Sequence, residues 1–371
     1  MDVRLSPEQQ ALRDSAARVV DVLGPRTVRQ LEDPERAAKL DAAVAAAGWR
    51  EVRTAVDDGS PCASAVEAAI VGEELGRGLA DTAFLGPTLA AELRRLAGAP
   101  ASTSIETVAL VPGLGALAAA DVGQLREAAV AIDAAGSRSA LVLAPAREGY
   151  GVAEVRLSAL PIRVDLTRTS VALGTQVAVA ALDGQARPLG DQDLERWTAL
   201  GLAMACADLV GAMRGAVELT REYATVRRQF GVSVGSFQAV QHMLADAFVA
   251  MEGSHSVTLH AAWAVDALPP RDALAAAALA KAYCARAARS VCETAIQVHG
   301  GIGNTWECLA HVYLRRVLLS SDVLGGAGPS LARVLEHHGI GGTHANACGP
   351  EARRRSGESS AARSEHGTGA I

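Results

Sequence analysis

Two short stretches of this chain carry residue types suited to holding an anion. Arg227-Arg228-Gln229-Phe230-Gly231 sets a guanidinium, a fixed charge with a planar fork, beside an apolar ring and a tight turn. Further on, Gln297-Val298-His299-Gly300-Gly301-Ile302-Gly303 offers an amide side chain and bare backbone that can bring N–H donors close to an anion. The chemistry they share is recognition of phosphate. The Gly300–Gly303 run neither follows a strand nor opens a βαβ unit, which excludes a Rossmann dinucleotide turn. His242, His255, His260 and His299 lack metal-ligand spacing with Cys or acidic partners, so no metal site is expected and helix-surface or core roles account for them. Trp263 and Trp306 read as core aromatics. Arg315-Arg316 and Arg353-Arg354-Arg355 read as solvated basic runs.

The elements that must position these motifs are mostly helices. Ser6-Pro7-Glu8-Gln9 is a start signal, with Ser as N-cap, Pro at the first helical position and Gln9 placed to reach back. Leu12, Ala16, Val19, Val20 and Leu23 then recur at helical spacing. A second helix is expected over Pro34–Ala47 and a third over Ser64–Leu79. The third turns Val66, Ile70, Val71 and Leu75 inward and Glu73 and Glu74 outward, and a fourth follows Pro87. Between about Ile105 and Leu182 the period shortens: 107–111, 140–143, 152–157 and 170–180 are β-branched-rich and broken by Gly and Pro, as strands of a compact β domain are. Helical spacing returns over 191–225, 236–266, 271–299 and 304–320, with a short piece ending near His337. The expected organisation is a helical domain over 1–104, a β domain over 105–187, a C-terminal four-helix bundle over 188–337 and a disordered tail over 338–371, which is poor in large apolar residues. The helices 236–266 and 271–299 carry more apolar surface than one bundle face needs: Val240, Met243, Leu244, Phe248, Ala273, Leu274, Ala278, Leu279 and Ala282. That surplus predicts a large subunit interface.

Bulk properties bound the function classes. With 371 residues the chain can build two or three domains around a sizeable core. A net charge of -6 and a pI near 5.9 exclude a nucleic-acid surface. No apolar run looks long enough to span a bilayer, and the start MDVRLSPEQQ is too polar for a signal peptide. The six cysteines form no Cys-x-x-Cys pair and read as reduced, mostly buried thiols of a cytoplasmic protein.

The order of helices, small β domain and long helices, together with the two anion motifs, resembles the acyl-CoA dehydrogenase family over roughly residues 1–337. SFQAVQHMLAD (Ser236–Asp246) and HGGIGNTWE (His299–Glu307) are particularly similar to bacterial members. The resemblance implies a barrel-like middle domain and an FAD that spans a subunit interface, with the ring in one subunit and the adenosine end in its neighbour. Carried over, Arg227, Gln229 and Phe230 meet the adenosine diphosphate of a neighbour's FAD. Gln297 and Gly301 meet its pyrophosphate, with Gly300 in the same cofactor-binding set. It also implies an acyl-CoA substrate, a homo- or hetero-oligomer with a related subunit, and lipid or steroid metabolism.

The pattern breaks where the family does its chemistry. Its members abstract the α proton of a CoA thioester with a Glu placed before Gly-Thr; here the matching stretch is Asp322-Val323-Leu324-Gly325-Gly326, with Leu324 at the carboxylate's position. Relatives that place the Glu on an earlier helix have it where this chain has Gly201. Asp322 and Glu195 are the weak substitutes, and the catalytic base is unassigned. The Thr-Glu-Pro, Gly-Ser-Asp and Trp-Ile-Thr segments that hold and cover the flavin ring are missing between Ile105 and Leu182, where an Ala-rich 115–120 stands instead. The expectation is α,β-dehydrogenation as a half-site subunit that supplies the adenosine side of a partner's FAD site. The alternatives are an autonomous homo-oligomeric dehydrogenase with a non-standard base, or a non-redox protein on the same fold.

Overall fold

The computed structural model describes residues 4–121, 123–158, 161–162 and 164–340. Most of the expected tail, with Cys348 and the basic run 353–355, lies outside the described residues. Four helices come first: α1 Pro7–Leu23, α2 Pro34–Ala46, α3 Ala65–Arg77 and α4 Leu85–Leu96. Seven strands follow: β1 Glu106–Leu110, β2 Ala129–Ala131, β3 Ser139–Pro145, β4 Tyr150–Arg156, β5 Pro161–Ile162, β6 Ser170–Leu173 and β7 Val179–Ala181. The remainder is α5 Asp191–Val226, a small hairpin β8 Arg228–Gln229 and β9 Val232–Ser233, then α6 Gln238–Ala267, α7 Pro270–His299, α8 Ala310–Asp322 and α9 Ala327–His337. Helix α8 begins later than the expected 304 because 305–309 forms a turn, with the Cys308 amide donating to the Thr305 carbonyl at 3.2 Å.

Helix starts follow their residues. The Ser6 hydroxyl accepts from the Gln9 amide at 3.2 Å and the Gln9 side chain accepts from the Ser6 amide at 3.1 Å, with Pro7 at the first position. Ser64 and Glu67 repeat this box on α3. The sheet has the order β5-β6-β2-β1-β3-β4-β7, is antiparallel except for β1 beside β3, and curls into a half-barrel. Strand alternation sorts its side chains into two cores. Val108, Leu110, Leu141 and Val152 face the helices, whereas Ala109, Ala140, Val142, Ala153 and Val155 fill the sheet's other side.

Helix α5 is the axis of the molecule. Contrary to the expectation that no run was long enough, one stretch of it could cross a bilayer by length and composition; 89% of that stretch is buried among the other elements. Helix α3 crosses it at backbone contact, because a Cβ at Gly211 would stand 1.9 Å from the Glu73 carbonyl and one at Gly76 would stand 2.7 Å from that of Asp208. So close a crossing corrects the reading of Glu73 and Glu74, which are buried rather than outward. Arg214 of α5 reaches Glu73 at 2.6 Å and Glu74 at 2.9 Å, and His255 of α6 reaches Glu73 at 2.9 Å. Of the apolar surplus on α6 and α7, Phe248 and Leu279 are exposed, while Ala273 and Ala278 are buried within the chain itself.

Candidate functional site

The two anion motifs end up at one end of the bundle. Helix α5 stops when the Arg227 amide donates to the Tyr223 carbonyl, and the chain turns through Phe230 (φ 52°) and Gly231 (φ 84°) into the hairpin. Both turn residues are left-handed, as a two-residue hairpin with right-handed strand twist requires. Phe230 pays a steric cost there and stands 94% exposed, its ring edge-to-face with Phe237. Arg227 and Gln229 are exposed as well. One turn back along α5, Tyr223 stacks on His299 with ring centroids 4.4 Å apart. That contact, with the Tyr223 hydroxyl donating to the His299 carbonyl at 3.3 Å, holds the end of α7 against the last turns of α5. His299 is an anchor and not a ligand: burial lowers its pKa, and its Nδ1 meets the Ala295 carbonyl at 2.7 Å.

The backbone after His299 is bare. A Cβ at Gly300 or Gly301 would meet nothing within 4 Å, and Gly300 has φ 67° with ψ -144°, a conformation open to glycine alone. The Gly300 amide donates back to the Ile296 and Gln297 carbonyls, which leaves the bare backbone at Gly301 and the exposed Arg227 guanidinium to fit the phosphates of a dinucleotide. All six predicted residues, Arg227, Gln229, Phe230, Gln297, Gly300 and Gly301, lie on this open end.

The other end is closed. Leu324 is 1% exposed with φ 58°; its amide donates to the Leu114 carbonyl at 2.7 Å, and its own carbonyl accepts from Arg333 at 2.9 Å. The two positions where relatives place a base meet each other. A Cβ on Gly201 would lie 2.2 Å from Leu324 Cδ1 and 3.4 Å from Leu89 Cδ2, so the leucine occupies the volume a second carboxylate would need. Lys281, fully buried, fixes this segment by donating to the carbonyls of Ser320 at 2.6 Å and Val323 at 2.9 Å; burial lowers its pKa to about 8.

Neither substitute base packs beside Leu324 and Gly201. Asp322 is exposed on the outer side of α8. Glu195 lines a separate groove with Arg271, Arg333 and Glu336. Six residues before Gly201, it lies roughly 9 Å along α5 and on another face.

A buried ionic network that the sequence reading missed fills the space between sheet and helices. Asp208 on α5 accepts from Arg316 at 2.7 and 2.9 Å and lies 3.3 Å from Arg168, which also pairs with Asp165 at 2.8 Å. Arg316 is 4% exposed, which corrects the solvated-face reading of Arg315-Arg316; only Arg315 is solvated. Burial pushes the Asp208 carboxyl up, but Arg168 and Arg316 prevail and hold it down at about 2. Asp133 (φ 47°) accepts the Phe84 and Gly86 amides on one oxygen, while its Oδ1 is buried with no partner among the described residues, and burial raises its pKa. The signal available in sequence was a lone acid inside the apolar run 205–210 of α5, since such a charge must be paired. The cavity left among these groups measures about 20 Å³, room for one water and far too little for a flavin ring. Among the described residues no cluster of His, Cys, Asp or Glu could hold a metal.

Comparison with known proteins agrees with this layout. Residues 197–330 match the model of the acyl-CoA dehydrogenase C-terminal domain. Acyl-CoA dehydrogenase IpdE2 of Mycobacterium tuberculosis is 33% identical over 271 residues, 72% of this chain and 76% of that protein. The ChsE4-ChsE5 complex from Mycobacterium tuberculosis superposes with a TM-score of 0.74 at 23% identity, over 91% of this chain and 99% of that one. The Tcur3481-Tcur3483 steroid ACAD superposes with a TM-score of 0.70 at 23% identity, over 90% and 98%. Fold, motif order and a relative matched over most of its length agree, and the chain belongs to the acyl-CoA dehydrogenase family.

Proposed function

We propose that this chain is the non-catalytic, half-site subunit of a heteromeric acyl-CoA dehydrogenase, holding the adenosine side of an FAD whose ring lies in a related partner. The observation that carries the reading is the contrast between the two ends: Phe230 and the Gly300–Gly301 backbone stand open, whereas Leu324 fills the space beside Gly201. Bound FAD supplies hydride acceptance from the Cβ of a CoA thioester. This chain's part is to bind and orient. Arg227 gives a charge-assisted contact to phosphate, the Gln297 side chain and the Gly301 backbone receive the pyrophosphate, and Phe230 gives adenine an apolar face. Leu324 and Gly201 stand at the two base positions, and the loss of a positioned base costs on the order of 10²–10⁴-fold in rate. The exposed Phe248 and Leu279 suit a subunit interface. Structural relatives that include a complex and a steroid ACAD support a heteromer acting on a lipid or steroid CoA thioester.

The test is to purify the chain alone and with a co-expressed catalytic relative, and to read flavin absorbance per protomer and turnover of a CoA thioester. Alone it is expected to be colourless and inactive; the complex is expected to carry one FAD per pair of chains. If the chain alone purifies yellow with one FAD per protomer and turns over the thioester, the reading is wrong.

A further inference from the structure

A groove on the outer face of α8, of about 570 Å³, starts at Asn304, where the Gly300–Asn304 turn ends, and is lined by neither Arg227 nor Gly300 and Gly301. Its volume is that of a small-molecule site. Trp306, expected in the core, is instead 64% exposed on its wall. The Arg315 guanidinium lies 5.9 Å from the indole centroid, and the His311 ring meets the indole edge-to-face at 5.1 Å. His311 is 9% exposed. Its ring bonds the Thr305 backbone, yet Nε2 is buried with no partner among the described residues. Burial first, and then Arg315, lower its pKa, so at neutral pH the imidazole is uncharged. A neutral ring that donates from Nδ1 to a backbone carbonyl presents Nε2 as an acceptor in need of an N–H or O–H.

Charge along the groove is separated, positive at one end and negative at the other. His311, Arg315, Leu318 and Asp322 form one stripe of α8, at helical spacing. Among the described residues no ion pair engages either Arg315 or Asp322. Stacking over an indole leaves the guanidinium's N–H edge free for an oxyanion. Asp322, roughly 10 Å further along the helix, repels an anion and so confines it to the Arg315 and Asn304 end.

We propose that this groove binds an adenine nucleotide, with the flat base against Trp306, its exocyclic amine donating to His311 Nε2, and phosphate on the edge of Arg315. The source can be a free nucleotide or the nucleotide end of a CoA thioester, which share this chemistry. The site is separate from the flavin contacts of Arg227, which also recognise adenosine phosphate, so the test is run in both backgrounds.

ADP and CoA are titrated into the full purified chain and into its Arg227→Ala variant, read by tryptophan emission and by calorimetry. Saturable binding that survives Arg227→Ala is expected. His311→Phe keeps the ring edge on Trp306 but removes the acceptor, and should weaken ADP by roughly three- to tenfold. Arg315→Gln, on the surface and harmless to folding, should weaken ADP by roughly tenfold or more while leaving adenosine unchanged. Equal dependence of ADP and CoA on Arg315 identifies the shared nucleotide as the ligand. ADP binding that is lost with Arg227→Ala alone would leave the flavin contacts standing and overturn the groove. Binding that is indifferent to both His311→Phe and Arg315→Gln, or absent altogether, would overturn it as well.

Discussion

Gly201 and Leu324 offer a quantitative test of whether the base position is closed by packing. A methyl at residue 201 would stand 2.2 Å from Leu324 Cδ1, well inside contact distance. Leu324 cannot swing out of the way, being 1% exposed with its backbone pinned at both ends by the Leu114 and Arg333 bonds. Gly201→Ala therefore sets two effects against each other. The middle of a helix gains about 1 kcal/mol from Gly to Ala, and overpacking costs about 1–3 kcal/mol. The net in the native background is a loss of up to about 2 kcal/mol. Leu324→Ala alone costs about 2–5 kcal/mol through the cavity it leaves. Both residues 324 carry a Cβ, so the strain of φ 58° cancels in the comparison.

In the Leu324→Ala background the obstruction is gone and the added methyl refills part of the cavity. Gly201→Ala should then stabilise by about 1 kcal/mol, reversing sign. The coupling between the two changes is about 1–3 kcal/mol, the range expected of residues in contact. Urea unfolding of the four chains, compared by midpoint at a common slope, measures it. If Gly201→Ala costs the same with and without the leucine, the two positions do not meet, and the claim that Leu324 fills the base's place fails.

Four further outcomes follow from the same geometry. Asp133→Asn keeps an oxygen for the Phe84 and Gly86 amides. Burial raises the Asp133 pKa, so its stabilising protonated form is present below the unfolded value near 4 and lost as pH rises through the folded value; the Asn variant should lose that slope and melt higher at neutral pH, and identical pH profiles would contradict this. Asp208 is held at about 2, so its contribution is present above the unfolded value and lost as pH falls toward 2. Asp208→Asn strands two buried guanidinium groups and should cost about 3–5 kcal/mol, read as a large drop in Tm. In the two-chain complex Arg227→Ala should loosen FAD by about 1.5–3 kcal/mol, roughly ten- to a hundredfold, without changing Tm of the isolated chain; Asp322→Asn and Glu195→Gln should leave turnover unchanged, and loss of turnover in either would name the base.

What was legible in the sequence is what depends on neighbours along the chain. The Ser6–Gln9 cap, the strand alternation over 106–156 and the Phe230–Gly231 turn are local, and each formed as its residues require. Periodicity assigns a helix one buried face, and it misled where a helix is covered on more than one side. Helix α3 takes Arg13, Arg214 and His255 from three other helices, so Glu73 and Glu74 went inside. Helix α8 divides its two adjacent arginines, sending Arg316 to Asp208 and leaving Arg315 over Trp306. A departure such as Leu324 was visible as a missing carboxylate, but its contact with Gly201 was not, because nothing in local sequence pairs a loop after α8 with the middle of α5.

The closed end is held as much by charge as by packing, and the two reinforce each other. Arg168 and Arg316 bring two positive charges into a space where Asp165 and Asp208 bring two negative ones, so the set is neutral when Asp133 is protonated, the form that its burial favours. Such a set is stable only while every member keeps its partner, since stranding one buried charge costs several kcal/mol. Helix α8 enters this arrangement twice. It supplies Arg316 and Ser320 to the network, and at its end Lys281 of α7 ties the Ser320 and Val323 carbonyls just before Leu324. Moving Leu324 away from Gly201 would pull on a segment whose hydrogen bonds run back into the ionic core. Reopening the cleft therefore takes more than restoring a carboxylate: Leu324→Glu alone would bury an unpaired acid against Leu89 and Gly201 and should destabilise the fold before it confers any turnover.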